Sequence, residues 1–326
     1  MKKRLLLLLT LLMVIVAVGC NNTAKEEDTL KVAMAVPGAK TDGGWSQVAY
    51  TGLLMIEEEF GADISINENT QPADYERILR DYAKDGNDVV IGHGFEFSDS
   101  ALTVGKEFPD TIFIVTSSNV TNNKNVGSIS NYYEQAGFLK GAFAALMSKT
   151  NIVGGVGGLN IPPIANDVKG FEAGAKYINP NIKVLTAIIG SDDVNKAKEQ
   201  ALTFASQGAD ILMGNANAAS QGVYLAAEQN GLYSIASIFA EYDKFEKTLI
   251  SCAPADMSKA IFQTVETIRD GKYKAGFELM GVKQEIIDFT YSPVLGTKVP
   301  GDVKDKMNEI KENMSSGELD VMKFVK

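Results

Sequence analysis

From residue 29 onward, short β-branched apolar runs alternate with longer segments of helical spacing, and this alternation constrains the fold more than any other feature of the chain. The runs Leu30–Val36, Asp88–Ile91 and Thr111–Val115 read as strands, and the segments Trp45–Phe60, Asp74–Lys84 and Ser98–Phe108 between them read as helices. A second series repeats the pattern. Its predicted strands are Ile152–Val156, Val184–Ile189, Ile211–Met213 and Tyr233–Ile235, and its predicted helices are Asp167–Tyr177, Val194–Ser206 and Ser220–Gln229. Strands apolar on both faces and joined through helices belong to parallel sheets covered on each side. The expected class is α/β, with doubly wound parallel sheets.

An internal echo splits the alternation into two halves. The segment Tyr82–Gly92 (YAKDGNDVVIG) matches Phe204–Gly214 (FASQGADILMG) at an offset of 122 residues. In both, a helix ends at glycine, where a left-handed C-cap suits that residue, and an aspartate leads into an apolar strand that itself ends at glycine. Duplication explains the shared order of elements, so two similar lobes are expected. Ligands of open α/β sheets bind beyond the carboxyl ends of the strands. The segments that follow those ends are therefore the candidates for function.

The first 28 residues are of another kind. Lys2, Lys3 and Arg4 precede the apolar run Leu5–Val18, and Ala17, Val18 and Gly19 close it with small residues before Cys20. A basic start, a short apolar stretch and a small-residue cleavage site describe an export signal. A cysteine directly after it resembles a bacterial lipobox, with Ala17 where leucine is usual. The expectation is a signal peptide over 1–19, lipidation at Cys20 and a polar tether over 20–28. The protein would then sit on the extracytoplasmic face of the cell membrane, held by its lipid alone.

Composition narrows the partners. The chain carries 31 Lys+Arg against 41 Asp+Glu, a net charge of −10 that deepens to near −13 once the signal's three basic residues are gone. Nucleic acid and anionic membrane surfaces both need a basic footprint, which this chain lacks. The only cysteines are Cys20 and Cys252, so no disulfide framework is expected, and Cys252 reads as a small buried hydrophobe. No His/Cys cluster, P-loop or nucleophile elbow is present in the sequence, so neither an enzyme nor a cofactor is expected.

Four segments carry candidate binding groups. After the first strand, Asp42-Gly43-Gly44-Trp45 places a carboxylate, a diglycine and the only tryptophan at a helix start. A planar ligand could stack on Trp45, although the same residue could plug the core between helix and sheet. After Asp88–Ile91, the loop Gly92–Phe97 presents Phe95 and Glu96, suited to a flat, nitrogen-rich ligand, while lone His93 reads as a hydrogen-bonded structural residue. In the second half, Asn215 and Asn217 can donate to and accept from a heteroaromatic edge. Phe239 follows the next strand, and Asp256 follows the strand containing Cys252. Each of these polar residues can equally be a helix cap or a solvated group. The glycine run Gly154–Gly158 lacks the spacing of a dinucleotide fingerprint and suits tight packing instead.

Taken together, the lipobox, Asp42–Trp45 with Ala49 and Gly52, Glu134–Gly141, Val156–Pro162, Gly170–Gly174 and Asn179-Pro180 resemble the basic membrane protein family. These are lipoprotein substrate-binding components of ABC importers. The resemblance covers essentially the whole mature chain. It implies the type I periplasmic-binding-protein fold, two doubly wound parallel-sheet lobes joined by a hinge and closing on a small molecule. It further implies a first lobe of 29–129 plus about 254–285 and a second of 130–253 plus about 286–326. An ABC permease would be the partner, and the chain would act as a monomer.

Characterised relatives bind purine bases or nucleosides. The resemblance therefore gives Trp45 the stacking place, puts Asp42 and the Gly44 backbone at its rim, sets Phe95 and Glu96 beside the base, and has Asn215 and Asn217 face it. Nucleoside-binding members carry an Asp-Ser-Asp type segment for the ribose, and here that stretch reads Ser237-Ile238-Phe239-Ala240-Glu241. The expected ligand is thus an adenine-like base, with a purine nucleoside second. A vitamin or sugar held by the same fold, or a sensory role instead of uptake, are the alternatives.

Overall fold

The computed structural model describes residues 29–238 and 240–326. The expected signal peptide, lipidation at Cys20, the tether and Phe239 lie outside the described residues.

The first half runs β1 (Lys31–Ala35), α1 (Trp45–Phe60), β2 (Asp63–Asn67), α2 (Tyr75–Lys84), β3 (Val89–Gly92), α3 (Ser98–Val104), β4 (Ile112–Thr116) and β5 (Val126–Asn131). The second runs α4 (Tyr133–Met147), β6 (Ile152–Gly157), α5 (Pro162–Ile178), β7 (Lys183–Ile188), α6 (Val194–Ser206), β8 (Ile211–Asn215), α7 (Ser220–Gln229), β9 (Tyr233–Ala236) and β10 (Leu249–Cys252). The chain ends with α8 (Met257–Arg269), β11 (Phe277–Met280), β12 (Thr290–Tyr291) and α9 (Gly301–Ser316).

The strands form two six-stranded sheets, ordered β2-β1-β3-β4-β5-β11 and β7-β6-β8-β9-β10-β12. The orders are the same once β6–β10 are matched to β1–β5. The echoed segments fall on equivalent elements, α2 with β3 and α6 with β8, and both helix-ending glycines, Gly86 and Gly208, have positive φ. All pairings are parallel except that of β12, which runs antiparallel to β10. The chain passes between the sheets three times: after β5, after β10 and after β11.

Each sheet is covered on both faces. Val32, Met34, Val89 and Ile91 pack under α1 and α8, while Ala33, Val90, Phe113 and Val115 pack under α2 and α3. In the second lobe, α4, α5 and α9 cover one face and α6 and α7 the other. The strand centres are fully buried, as parallel strands with two covered faces must be. Cys252 is among these buried residues, and burial pushes its thiol up to about 12.

Some elements depart from the sequence expectation. β2 (DISIN) is an edge strand, half-exposed and too polar to be read from hydropathy. β5 (VGSISN) is buried, but its serines and asparagine interrupt the apolar run. α5 begins at Pro162, five residues before the expected start, because proline is pre-set for the first turn of a helix. α4 is buried over ten consecutive residues, Gln135–Ala144, so it lacks the amphipathic period that announces a surface helix. Among the described residues, no helix is long and apolar enough to cross a membrane.

Candidate functional site

The carboxyl ends of the strands in both sheets face one cavity of about 570 Å³. Its lining comes from the loops after β1, β3 and β4 on one side, and from those after β6, β7, β8 and β9, with α4 and α5, on the other. That volume suits a small organic molecule, since such sites span about 300–1,000 Å³.

On the first lobe, the diglycine loop is organised by Asp42. Its Oδ1 accepts the N–H groups of Gly44 at 2.8 Å and Gln47 at 3.1 Å, and its Oδ2 accepts Ser46 N–H at 3.1 Å. Asp42 therefore caps the orphan amides at the start of α1, and the charge suits the positive end of that helix. This capping fixes Trp45, the first helical residue. The indole stacks on His93 with ring centroids 4.0 Å apart and planes 26° from parallel.

His93 is fully buried and supports that platform. The Trp45 carbonyl can only accept, so His93 Nε2 carries the proton and donates to it at 3.0 Å. His93 Nδ1 then accepts from the Thr116 hydroxyl at 2.9 Å, and Thr116 Oγ1 accepts Gly94 N–H at 3.0 Å. Burial pushes the imidazole down to about 3, against the weaker upward pull of the Trp45 bond and the Asp42 charge. The ring is neutral and locked. Next to it, Gly94 has φ +128°, and a Cβ there would lie 2.4 Å from the Glu96 carboxylate, so only glycine admits this fold of the loop. Burial raises the Glu96 carboxyl above the usual range.

The opposite wall comes from α4 and α5, which approach each other closely. Gly137 and Gly141 of α4 face Gly170 and Gly174 of α5, and a Cβ on any of them would lie 1.9–2.3 Å from a backbone oxygen of the partner helix. This contact brings Lys140 and Asp167 together at 2.6 Å, with each side chain 1% exposed. Lys140 Nζ also donates to Ser237 Oγ at 2.8 Å, and Asn215 Nδ2 donates to Asp167 Oδ2 at 2.8 Å. All four residues line the cavity. The lining carries four carboxylates (Asp42, Glu96, Asp167 and Asp192) against the single ammonium of Lys140.

The lobes meet across the mouth. A Cβ on Gly44 would fall 1.7 Å from Asn217 Oδ1, so the Gly44 backbone and the Asn217 side chain are in contact between loops of different sheets. Asn217 itself holds φ +49°, a left-handed conformation that asparagine tolerates.

Of the expected residues, Asp42, Trp45, Phe95, Glu96, Asn215 and Asn217 line the cavity, and Gly44 abuts it through Asn217. Asp256 is not among the lining residues; its carboxylate caps α8, accepting Lys259 N–H at 3.1 Å and the Ser258 hydroxyl. The sequence reading missed Lys140, Asp167, Ser237, Tyr133 and Asp192. Of the adjacent acids Asp192 and Asp193, Asp193 caps α6 and Asp192 reaches the cavity, where burial raises its carboxyl. Among the described residues, no group of three or more His, Cys, Asp or Glu could hold a metal ion.

Comparison with known proteins places this architecture. A family model described as ABC transporter substrate-binding protein PnrA-like matches residues 29–319. The chain is 29% identical to the transcriptional activator protein Med of Bacillus subtilis, over 85% of this chain and 87% of that one. It is 25% identical to a purine-binding protein of Brucella abortus, over 91% and 84%. An ABC transporter solute-binding protein from Conexibacter woesei superposes with a TM-score of 0.75 at 26% identity, covering 90% of this chain and 98% of that one.

Proposed function

Because the chain belongs to the PnrA-like, basic membrane protein family of ABC transporter substrate-binding proteins, we propose that it captures a purine base or purine nucleoside between its lobes and delivers it to an ABC permease. One observation carries the ligand class. Trp45, seated on a locked His93, presents an aromatic platform in a cavity between two sheets. Stacking on such a platform adds about 0.5–1.5 kcal/mol beyond area burial. Glu96 supports the same reading. Its carboxyl can accept from an exocyclic amine or a ring N–H of a nitrogen-rich base. The Brucella relative, named as purine-binding, supports it as well.

The charge of the lining narrows the class. Four carboxylates and one ammonium already paired to one of them disfavour an anion, so nucleotides are excluded in favour of neutral bases and nucleosides. The lobes divide as 29–129 with about 254–285, and 130–253 with about 286–326. Lipidation at Cys20 tethers the monomer to the outer membrane face near its permease, which raises its effective concentration there. No step of this function needs catalysis or a cofactor.

Titration calorimetry with adenine, hypoxanthine, adenosine, inosine and AMP tests the proposal. At least one neutral purine should bind at micromolar Kd or tighter, about −8 kcal/mol or better, and Trp45, the sole tryptophan, should report it by quenching. Heat and quenching absent for every neutral purine would refute the ligand class. The Bacillus relative named as a transcriptional activator favours a second reading, in which the closed lobes signal instead of delivering. Loss of purine uptake on deleting the gene supports transport; unchanged uptake supports signalling.

A further inference from the structure

Lys140 and Asp167 stand at the cavity wall fully desolvated, and their hydrogen bonding is incomplete. An ammonium has three N–H donors. Asp167 Oδ1 and Ser237 Oγ lie within reach of two of them, at 2.6 and 2.8 Å. Asp167 Oδ2 accepts from Asn215, while Asp167 Oδ1 faces Lys140 alone and, as a carboxylate oxygen with two lone pairs, keeps one of them open. The pair thus keeps one donor and one acceptor site unfilled, side by side, at a cavity wall to which Ile161, Ile164 and Ile238 also contribute. Unpaired polar capacity in so dry a place is costly unless a ligand fills it.

We propose that the Lys140–Asp167 pair is the specificity-determining element of the site. It reads a neutral ligand edge that carries an oxygen acceptor next to an N–H or O–H donor. Lys140 Nζ donates to the oxygen, and Asp167 Oδ1 accepts the adjacent hydrogen. Two portions of a purine ligand have this chemistry: the lactam edge of an oxopurine and the vicinal diol of a ribose. Adenine has neither. The inference rests on the purine reading above and departs from the adenine preference suggested by the sequence. The segment Ser237–Glu241 contributes no aspartate, but Asp167 and Lys140 bring a carboxylate and an ammonium to Ser237 from α5 and α4.

Isothermal titration of the purified protein with adenine, hypoxanthine, adenosine and inosine decides the matter. The wild type should bind hypoxanthine or adenosine at least tenfold more tightly than adenine. Whichever of the two is preferred tells lactam from diol. In K140M/D167L, which removes both charges together and leaves neither ion buried alone, the preference should collapse to within about threefold. D167N, which keeps an oxygen for Asn215 but replaces the free acceptor, should lower the preference as well. If no purine binds the wild type, the purine reading falls and this assignment with it. If purines bind but adenine is not disfavoured, or if K140M/D167L ranks them as the wild type does, the purine reading stands and the assignment alone is overturned.

Discussion

Replacing Lys140 with methionine removes the ammonium and keeps the length of the side chain. At 2.6 Å, and with an effective dielectric near 20, the attraction it removes is about 6 kcal/mol. Burying each ion costs several kcal/mol, so the intact pair contributes little net stability. The single substitution is different, because it leaves the Asp167 carboxylate at 1% exposure with Asn215 as its remaining partner. Breaking a buried pair in this way costs about 3–5 kcal/mol, against a total stability of about 5–15 kcal/mol. Urea unfolding followed by far-UV circular dichroism should therefore show Lys140→Met losing about 3 kcal/mol or more, at least a fifth of the stability of the wild type. Lys140→Met/Asp167→Leu should recover most of that loss. A single variant within 1 kcal/mol of the wild type would refute the reasoning, as would a double variant no more stable than the single.

Other expectations follow from the same geometry. Gly44→Ala places a methyl against Asn217 across the cleft, so it should weaken ligand binding at least tenfold by calorimetry while leaving the melting temperature of the ligand-free chain within about 2 °C. Binding within threefold of the wild type would count against closure at that contact. His93 is held well below the ordinary imidazole value, near 3, so its contribution is complete above the unfolded value of about 6.5 and is lost as pH falls toward 3. Between pH 7.5 and 5.0 the wild type should lose about 2 kcal/mol more than His93→Gln, and parallel urea midpoints for the two would contradict the buried neutral tautomer. Asp256→Ala should cost about 1 kcal/mol, as the loss of a helix cap does, with unchanged affinity. An affinity loss beyond threefold would return Asp256 to the site.

The sequence announced what depends on local pattern. Strands buried on both faces leave continuous apolar runs, and helix ends leave glycines, so the two lobes and their repeated order were legible from Tyr82–Gly92 and its echo. The first-lobe wall was legible for a similar reason: Asp42, Gly44, Trp45, Phe95 and Glu96 lie between a strand and the helix that follows it, or at that helix's first residue. Lys140 could not be found this way. A lysine in a helix ordinarily marks the solvated face, and its partners come from 27 and 97 residues away, brought in by a glycine-lined helix contact that hydropathy does not record. Asp256 also follows a strand, and there the pattern does not tell a cavity-lining acid from a helix cap: its carboxylate accepts Lys259 N–H at the start of α8.

In the proposed function the two lobes close over a neutral purine stacked on Trp45. Mass spectrometry of the small molecule released by denaturing the protein as purified from its native host tests this most directly. A purine base or nucleoside, recovered at close to one per chain, is the predicted result. A sugar, a vitamin or another non-purine recovered in that amount would contradict it.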